Sequence, residues 1–490
     1  RVSAYIRRNA ALGISNASVM LLNFRTMEVE AYIGSADFFN EYILGQVNGV
    51  LARRSPGSVM KPFIFALAAD LGLIHPLTLL RDTPRYFGIF APENSDRDFL
   101  GPVNATDALN KSRNIPAIEL LLQVGADNLL DMFRKSGVRG LHNAEHYGGA
   151  LAIGGFELTM EDIVRLYAML ANRGQLKELR FLRSDPIQIS GYQLLSPEAA
   201  FLTLYMMKSN PRPDQRLRMS SRVDDLEVSW KTGTSYSFRD AWVAGVFGDY
   251  VLAVWIGSFD NSSAAQITAR RVTAPLFFEI VNSVRAYKRT LSNIARDGQN
   301  NVITTYVCAV SGDLPNRYCR RQAKTYFIPG RSPIKLCDVH RPVFICRQTG
   351  LRSPRFDEQK HNVAVYEFWS SDILSIFNQA GITFRSPPAF LPGYSIDTLT
   401  HHGARPQIIL PTRNVIYSID TQRDERIPFQ ASTDPDASRV FWFVNDKFIG
   451  SNLPGQILMA QVDLGTYTVR AVDDLGRVST TTLTVALRER

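Results

Sequence analysis

The chain has 490 residues, 45% hydrophobic and 21% charged, with a formal charge of +9. At roughly 100–200 residues per domain, that length suggests two to four domains, and the composition excludes a globally disordered chain. The positive balance favours anionic partners, but the basic residues are scattered in short pairs such as Arg53-Arg54, Arg270-Arg271 and Arg320-Arg321, which read as plain surface, with no nucleic-acid fingerprint.

In chain order, the segment 17–34 alternates apolar positions Val19, Leu21 and Val29, which predicts a hairpin turning near Arg25-Thr26. Arg54-Ser55-Pro56-Gly57 then breaks the chain. From Ser58 to Gly72, apolar residues recur at helical spacing (Phe63, Leu67, Leu71), and Pro62 is tolerable only in a first turn, so a helix starts close to Ser58. Residues 106–123 read as short helices broken around Pro116, and Glu161 to Asn172 as an amphipathic helix with Gly174 beyond its end. Strands follow at 227–234, 241–247 and 251–259, the last two around Gly248-Asp249, and then a helix at 275–289. Strands, helices, strands and a helix in that order predict an α+β domain, with an antiparallel sheet gathering the two ends of the region and helices between. The last ~95 residues carry short strands at 439–444, 456–462, 465–472 and 480–487, with turns at Asn445-Asp446 and 474–476, and predict a small all-β sandwich. Gln299-Asn300-Asn301 and Pro387-Pro388 mark boundaries, giving domains at 1–298, 299–393 (the Cys-containing segment) and 394–490. No stretch reads as a signal peptide or spanning helix. A first residue of Arg suggests a piece of a longer protein.

Three motifs carry chemistry. In Ser58-Val59-Met60-Lys61, residues three apart on a helix share a face, so Lys61 is positioned to act as base for the Ser58 hydroxyl. Alone, the pattern more often means an N-cap serine followed by a surface lysine. In Ser112-Arg113-Asn114, a second hydroxyl can relay a proton and an amide can donate to a substrate carbonyl or hold the lysine. A polar helix end gives the same residues. In Lys231-Thr232-Gly233-Thr234, on a strand, Lys231 and the hydroxyls can anchor a carboxylate, and Gly233 lets a substrate backbone lie along the edge. The Thr234 N–H is a candidate oxyanion-hole donor together with that of Ser58. All three occur in order, on helix, loop and strand, as in the penicillin-binding proteins and class A β-lactamases.

With that set in hand, the sequence resembles the class A penicillin-binding proteins, most closely their 1C branch. The resemblance extends to 31–38 (AYIGSADF), Arg54 to Ser58, Ile74-His75-Pro76, Pro92-Glu93-Asn94 and 238–242 (FRDAW), and runs strongly from about 15 to 290. It implies a penicillin-binding/serine β-lactamase-like transpeptidase domain with a helical subdomain, followed by the family's C-terminal extension. It implies Ser58 as acylated nucleophile, Lys61 as base, Ser112 and Asn114 in proton transfer and docking, and Lys231, Thr232, Gly233 and Thr234 in substrate binding. The implied activity is a D,D-transpeptidase that takes D-alanyl-D-alanine stem peptides of peptidoglycan through an acyl-enzyme to 4→3 cross-links, and is acylated by β-lactams. No cofactor is implied. The implied setting is the periplasmic side of the bacterial inner membrane, with an anchor and a glycosyltransferase upstream and cell-wall synthesis proteins as partners of the C-terminal domain. A D,D-carboxypeptidase and a penicillin-binding scaffold or sensor are the alternatives.

Cys308, Cys319, Cys337 and Cys346 allow three pairings. Cys337 and His340 have the gap of a metal-ligand pair, but Cys308 and Cys319 are too far apart for a ligand knuckle, so disulfides are expected in preference to zinc, and no metal site is assigned. His75 is expected to pack or cap, His401-His402 to lie in a linker, and Trp230 and Trp242 to be core.

Overall fold

The computed structural model describes residues 1–85, 91–213, 226–235, 238–262, 268–288, 291, 293, 301–394, 403–413, 415–420 and 425–487. His401-His402 and the Gln299-Asn300 boundary lie outside them. The chain forms two compact units: residues 1–78, 104–305 and 325–333 make the first, and 79–103, 306–324 and 334–490 the second.

The first unit is built on a five-stranded antiparallel sheet. In space, the strands run Glu28–Ile33, Asn16–Asn23, Tyr250–Gly257, Asp240–Phe247 and Val228–Thr234, so the last of these is an edge. The N-terminal hairpin turns at 24–27, and the predicted α+β order holds. Every residue of Asp240–Phe247 and Tyr250–Gly257 is buried, because helices cover both faces. On one face Val228, Trp230, Val243, Phe247, Val254 and Ile256 pack with Val272, Leu276 and Phe277 of helix Ala269–Tyr287. On the other lies helix Met160–Ala171, closed at its start by a reciprocal Thr159–Asp162 capping box. Trp230 and Trp242 are fully buried, as expected. His75 is buried too, its ring 4.6 Å from that of Phe327.

Two helix expectations need correction. The break expected at Pro116 falls instead at Lys111–Arg113, between helices Ala105–Asn110 and Asn114–Val124. Pro116 sits in the first turn of the second helix, where its missing N–H costs nothing. The helix expected from 275 begins at Ala269 and contains Pro275, because Ala269, Val272, Thr273 and Ala274 are buried against the sheet and packing outweighs the proline.

The second unit ends in the predicted sandwich. One sheet orders Ile416–Ile419, Val478–Leu487, Gly465–Asp473, Val440–Val444 and Lys447–Asn452; the other, Gln407–Leu410, Ile427–Ser432 and Leu458–Ala460. Trp442, Phe429, Val469 and Leu483 fill the space between them. Beside this core Arg477, with a fully buried side chain, meets Asp473 (Nε–Oδ2 2.6 Å) and Asp436 (Nη2–Oδ1 2.9 Å), with Asp434 3.7 Å away. Removing one partner of such a network strands the others in a low dielectric. Arg477→Leu is expected to cost about 3–5 kcal/mol, read as a lower melting transition of this unit, while covalent penicillin labelling of the intact chain is unchanged.

Candidate active site

The Ser58 turn is not a plain helix start. Gly57–Met60 is a 3-10 turn that runs into helix Lys61–Asp70, with Lys61 N donating to Ser58 O. In a 3-10 turn, residues three apart eclipse, so Ser58 and Lys61 share one face. Val59 and Met60 are buried beneath and Ser58 is partly exposed. The turn is tied on three sides. Tyr167 donates to Val59 O at 2.8 Å. Ser55 Oγ donates to Gly154 O at 2.7 Å, and Trp242 Nε1 to Ser55 O at 3.0 Å. Arg54, nearly buried, pairs with Asp240 at 3.5 Å and lies over the Trp255 ring, while Trp255 Nε1 donates to the same carboxylate oxygen at 3.0 Å.

Lys61 is fully buried. Its Nζ donates to Asn114 Oδ1 (2.6 Å), Ser112 O (2.7 Å) and Arg113 O (3.2 Å). Ser112 has φ of +57°, a left-handed conformation that non-glycine residues adopt rarely and at a cost of roughly 1–3 kcal/mol. That conformation lets one residue turn its carbonyl to Lys61 and its hydroxyl to Lys231, whose Nζ donates to Ser112 Oγ and, at 2.9 Å, to Thr232 O. Burial, and secondarily the nearby charge of Arg270, pulls the Lys231 ammonium down to about 7. Arg270 is held by Asn210 Oδ1 (2.6 Å) and Pro211 O (3.2 Å), with its guanidinium 5.3 Å from the Trp230 ring centre.

The edge strand meets the Ser58 turn backbone to backbone. A Cβ on Gly57, which has φ of +52°, would lie 2.6 Å from Thr234 O and 3.0 Å from Thr234 N. A Cβ on Gly233 would lie 2.4 Å from Pro56 O and 2.9 Å from Val59 N. Gly233 therefore makes room for the turn itself, a role that its sequence context did not reveal. Gly233→Ala must displace backbone, which typically costs about 1–3 kcal/mol. It is expected to lower the melting temperature and to slow β-lactam acylation at least ten-fold, measured by stopped-flow with a chromogenic cephalosporin. Thr234 Oγ1 accepts from Ala269 N at 3.2 Å, at the start of helix Ala269–Tyr287, which leaves its own O–H to donate elsewhere.

The fold thus brings Lys61, Ser112, Asn114 and Lys231 into one connected network. It places the Ser58 turn and the strand Thr232–Gly233–Thr234 beside it. Sequence reasoning missed Arg270, read there as surface, and the Arg54–Asp240–Trp255 support. The only available signal for the latter was the segments RSPGS and FRDAW.

Residues 17–274 match the family model for the penicillin binding protein transpeptidase domain, which is more than half of the chain. The chain belongs to the penicillin-binding transpeptidase family. Residues 299–342 match the model for the penicillin-binding protein 1A C-terminal domain, and 397–485 that of the penicillin-binding protein C-terminus family. Penicillin-binding protein 1C of Escherichia coli K12 is 29% identical over 491 residues, covering 95% of this chain and 60% of that protein. Penicillin-binding protein 1B of Vibrio cholerae is 28% identical over 269 residues, 50% of this chain and 33% of that protein. The chain thus spans less than two thirds of the length of each of these relatives. Among solved structures, penicillin-binding protein 1A of Haemophilus influenzae superposes with a TM-score of 0.55 at 22% identity, covering 66% of this chain and 54% of that one. A Burkholderia ambifaria peptidoglycan glycosyltransferase reaches 0.50 at 20% identity, covering 60% and 96%. These two likenesses concern the fold. Together the matches bear out the resemblance to class A penicillin-binding proteins, the transpeptidase fold and the β-rich end.

Proposed function

We propose that this chain is a serine D,D-transpeptidase that cross-links peptidoglycan stem peptides. The observation that carries the reading is the network Lys61–Ser112–Lys231 beside the Ser58 turn, with the last strand of the sheet, Val228–Thr234, next to it. A D-alanyl-D-alanine peptide docks at the Thr232–Thr234 end of that strand, where Thr232 and Thr234 are partly exposed, its terminal carboxylate on Lys231 and the Thr232 and Thr234 hydroxyls. Ser58 Oγ attacks the carbonyl of the penultimate D-alanine and gives its proton to Lys61 as the neutral amine. That amine keeps two N–H bonds to its oxygen cage and turns its lone pair towards Ser58. The backbone N–H groups of Ser58 and Thr234 receive the oxyanion. Ser112, accepting from Lys231, points its own hydrogen at the leaving nitrogen and is reprotonated from Lys61. The C–N bond breaks and D-alanine departs. An amine of a second stem then attacks the Ser58 ester, loses its proton to the same relay, and the C–O bond breaks to return the serine as a 4→3 cross-link forms. β-Lactams enter by the same first step.

In this reading residues 1–298 form the catalytic domain, 299–393 connect, and 394–490 form a module for contacts with other cell-wall synthesis proteins. The parent protein carries a membrane anchor and a glycosyltransferase upstream and works on the periplasmic side of the inner membrane. Among the described residues, no helix is long and apolar enough to cross a membrane.

The test is turnover of a D-alanyl-D-alanine stem-peptide mimic with and without an acceptor amine, followed by mass spectrometry. Amide product in excess over the hydrolysed product that has lost only its terminal D-alanine supports transpeptidation. Hydrolysis alone indicates a carboxypeptidase. Penicillin acylation with no peptide turnover moves the chain to a sensor or scaffold.

A further inference from the structure

The expectation of disulfides is not met: all four cysteines are free thiols. Instead, Cys308, Cys319 and Cys337 converge with His340 inside the second unit, their ligand atoms all within 4.8 Å of one another. His340 Nδ1 is 3.4 Å from Cys308 Sγ, 3.6 Å from Cys319 Sγ and 3.5 Å from Cys337 Sγ. Tetrahedral zinc has Zn–S bonds of ~2.3 Å and Zn–N bonds of ~2.0–2.1 Å, which gives N···S edges of about 3.6 Å. Three near-equal distances of that length match the N···S edges of a tetrahedral CysCysCysHis ligand set. A disulfide between any two of these sulfurs needs ~2.05 Å and would pull one vertex out of it.

The surroundings fit the same reading. A histidine that ligates through Nδ1 must carry its hydrogen on Nε2, and the Glu367 carboxylate lies 3.7 Å from Nε2 to favour that tautomer. Trp369 Nε1 fixes Glu367 in turn at 2.8 Å. Asn316 Nδ2 donates to both Cys337 O (2.7 Å) and His340 O (2.9 Å), which holds the Cys-x-x-His turn in shape. Val339, Trp369 and Ile373 pack around Cys308 and Cys337 and keep water away. The sequence separation of Cys308 and Cys319 argued against a ligand pair, but the chain reverses between them and returns the second thiol to the first.

We propose that Cys308, Cys319, Cys337 and His340 bind one zinc ion as a closed structural site. Three thiols lose their protons to solvent on binding and the imidazole binds neutral, so the centre carries a net single negative charge. Four protein ligands leave no open position, so the ion cross-links the segments 306–324 and 334–346, which have few regular elements of their own, and takes no part in acyl transfer. Cys346, at the far end of strand His340–Cys346, is not a ligand.

The test is metal analysis of the full 490-residue chain purified without a metal-affinity tag. One zinc per chain is expected, with all four thiols reactive after denaturation in chelator. Cobalt(II) in place of zinc should give the intense visible bands of a tetrahedral thiolate site. Cys319→Ser and His340→Ala should each lose the metal and show an early melting transition, while Cys346→Ser keeps both metal and stability. Should the mutants fail to fold, the cobalt spectrum of the unaltered chain decides. A folded chain without metal and with a mapped disulfide among Cys308, Cys319 and Cys337 would overturn the proposal, as would zinc retained in Cys319→Ser.

Discussion

Ser58→Ala is expected to abolish covalent labelling by a fluorescent penicillin while leaving the melting temperature where it was. Both halves follow from the same turn. Ser58 is partly exposed, and no side-chain capping bond is made at the turn's start, so losing the hydroxyl should change stability by no more than about 0.5 kcal/mol. In the proposed mechanism, however, its oxygen is the atom that bonds to the β-lactam carbonyl. Removal of a nucleophile typically costs on the order of 10⁴–10⁶ in rate, which on a gel is no band at any practical exposure. Peptide mapping of the wild-type adduct should place the added mass on the peptide that contains Ser58. Undiminished labelling of the alanine variant would mean that a different hydroxyl is acylated, and the reading of the site would fall with it.

The elements that position this site were legible to different degrees. The hairpin at 16–33 follows from alternating apolar positions, and the strands around Gly248 from near-continuous apolar runs that are buried on both faces. The helix from Lys61 was readable because Pro62 fixes its first turn. The three motifs were readable as residues, but not their connections. Nothing in Ser112-Arg113-Asn114 announces a left-handed serine whose carbonyl and hydroxyl serve two different lysines. That arrangement exists because the edge strand and the helix Lys61–Asp70 each bring a lysine to the same serine. Gly233 was read as space for a substrate, when its neighbour in the fold is Pro56. Arg270 looked like one of several basic pairs, because its influence on Lys231 crosses from helix to strand and has no sequence spacing. The cysteines failed for the same reason: a ligand set assembled from three separated segments has no short motif. In each case the missing information was long-range, and local patterning carries none of it.

Lys231→Met is expected to make the protein more stable at pH 6 and nearly inactive. The side chain is fully buried and its ammonium is pulled down to about 7 from 10.5. Such a drop corresponds to about 5 kcal/mol of penalty for holding the charged form inside the fold. The sign is fixed by linkage. Below pH 7 the lysine is protonated in both folded and unfolded chains, so the full penalty is present. Between pH 7 and about 10.5 the unfolded chain binds a proton that the folded chain does not, so stability gained from this group rises with pH across that window. Methionine has no charge to bury but forfeits the bonds to Ser112 Oγ and Thr232 O, which leaves a net gain of about 1–3 kcal/mol at pH 6. Melting curves should show the variant ahead by a few degrees at pH 6 and the gap closing as pH rises towards 10. The catalytic loss is the counterpart of that gain. In the proposed mechanism the ammonium supplies the positive charge for the substrate carboxylate, which the Thr232 and Thr234 hydroxyls do not, so wild-type acylation at low β-lactam concentration should fall as pH rises through about 7. The methionine variant should sit about 10²–10⁴ below it with that limb absent. A variant that is no more stable at pH 6, together with a wild-type rate flat from pH 6 to 9, would show that Lys231 keeps its charge throughout. The balance between a destabilising buried cation and the substrate charge it receives is the kind of tension expected where a fold gives up stability to function.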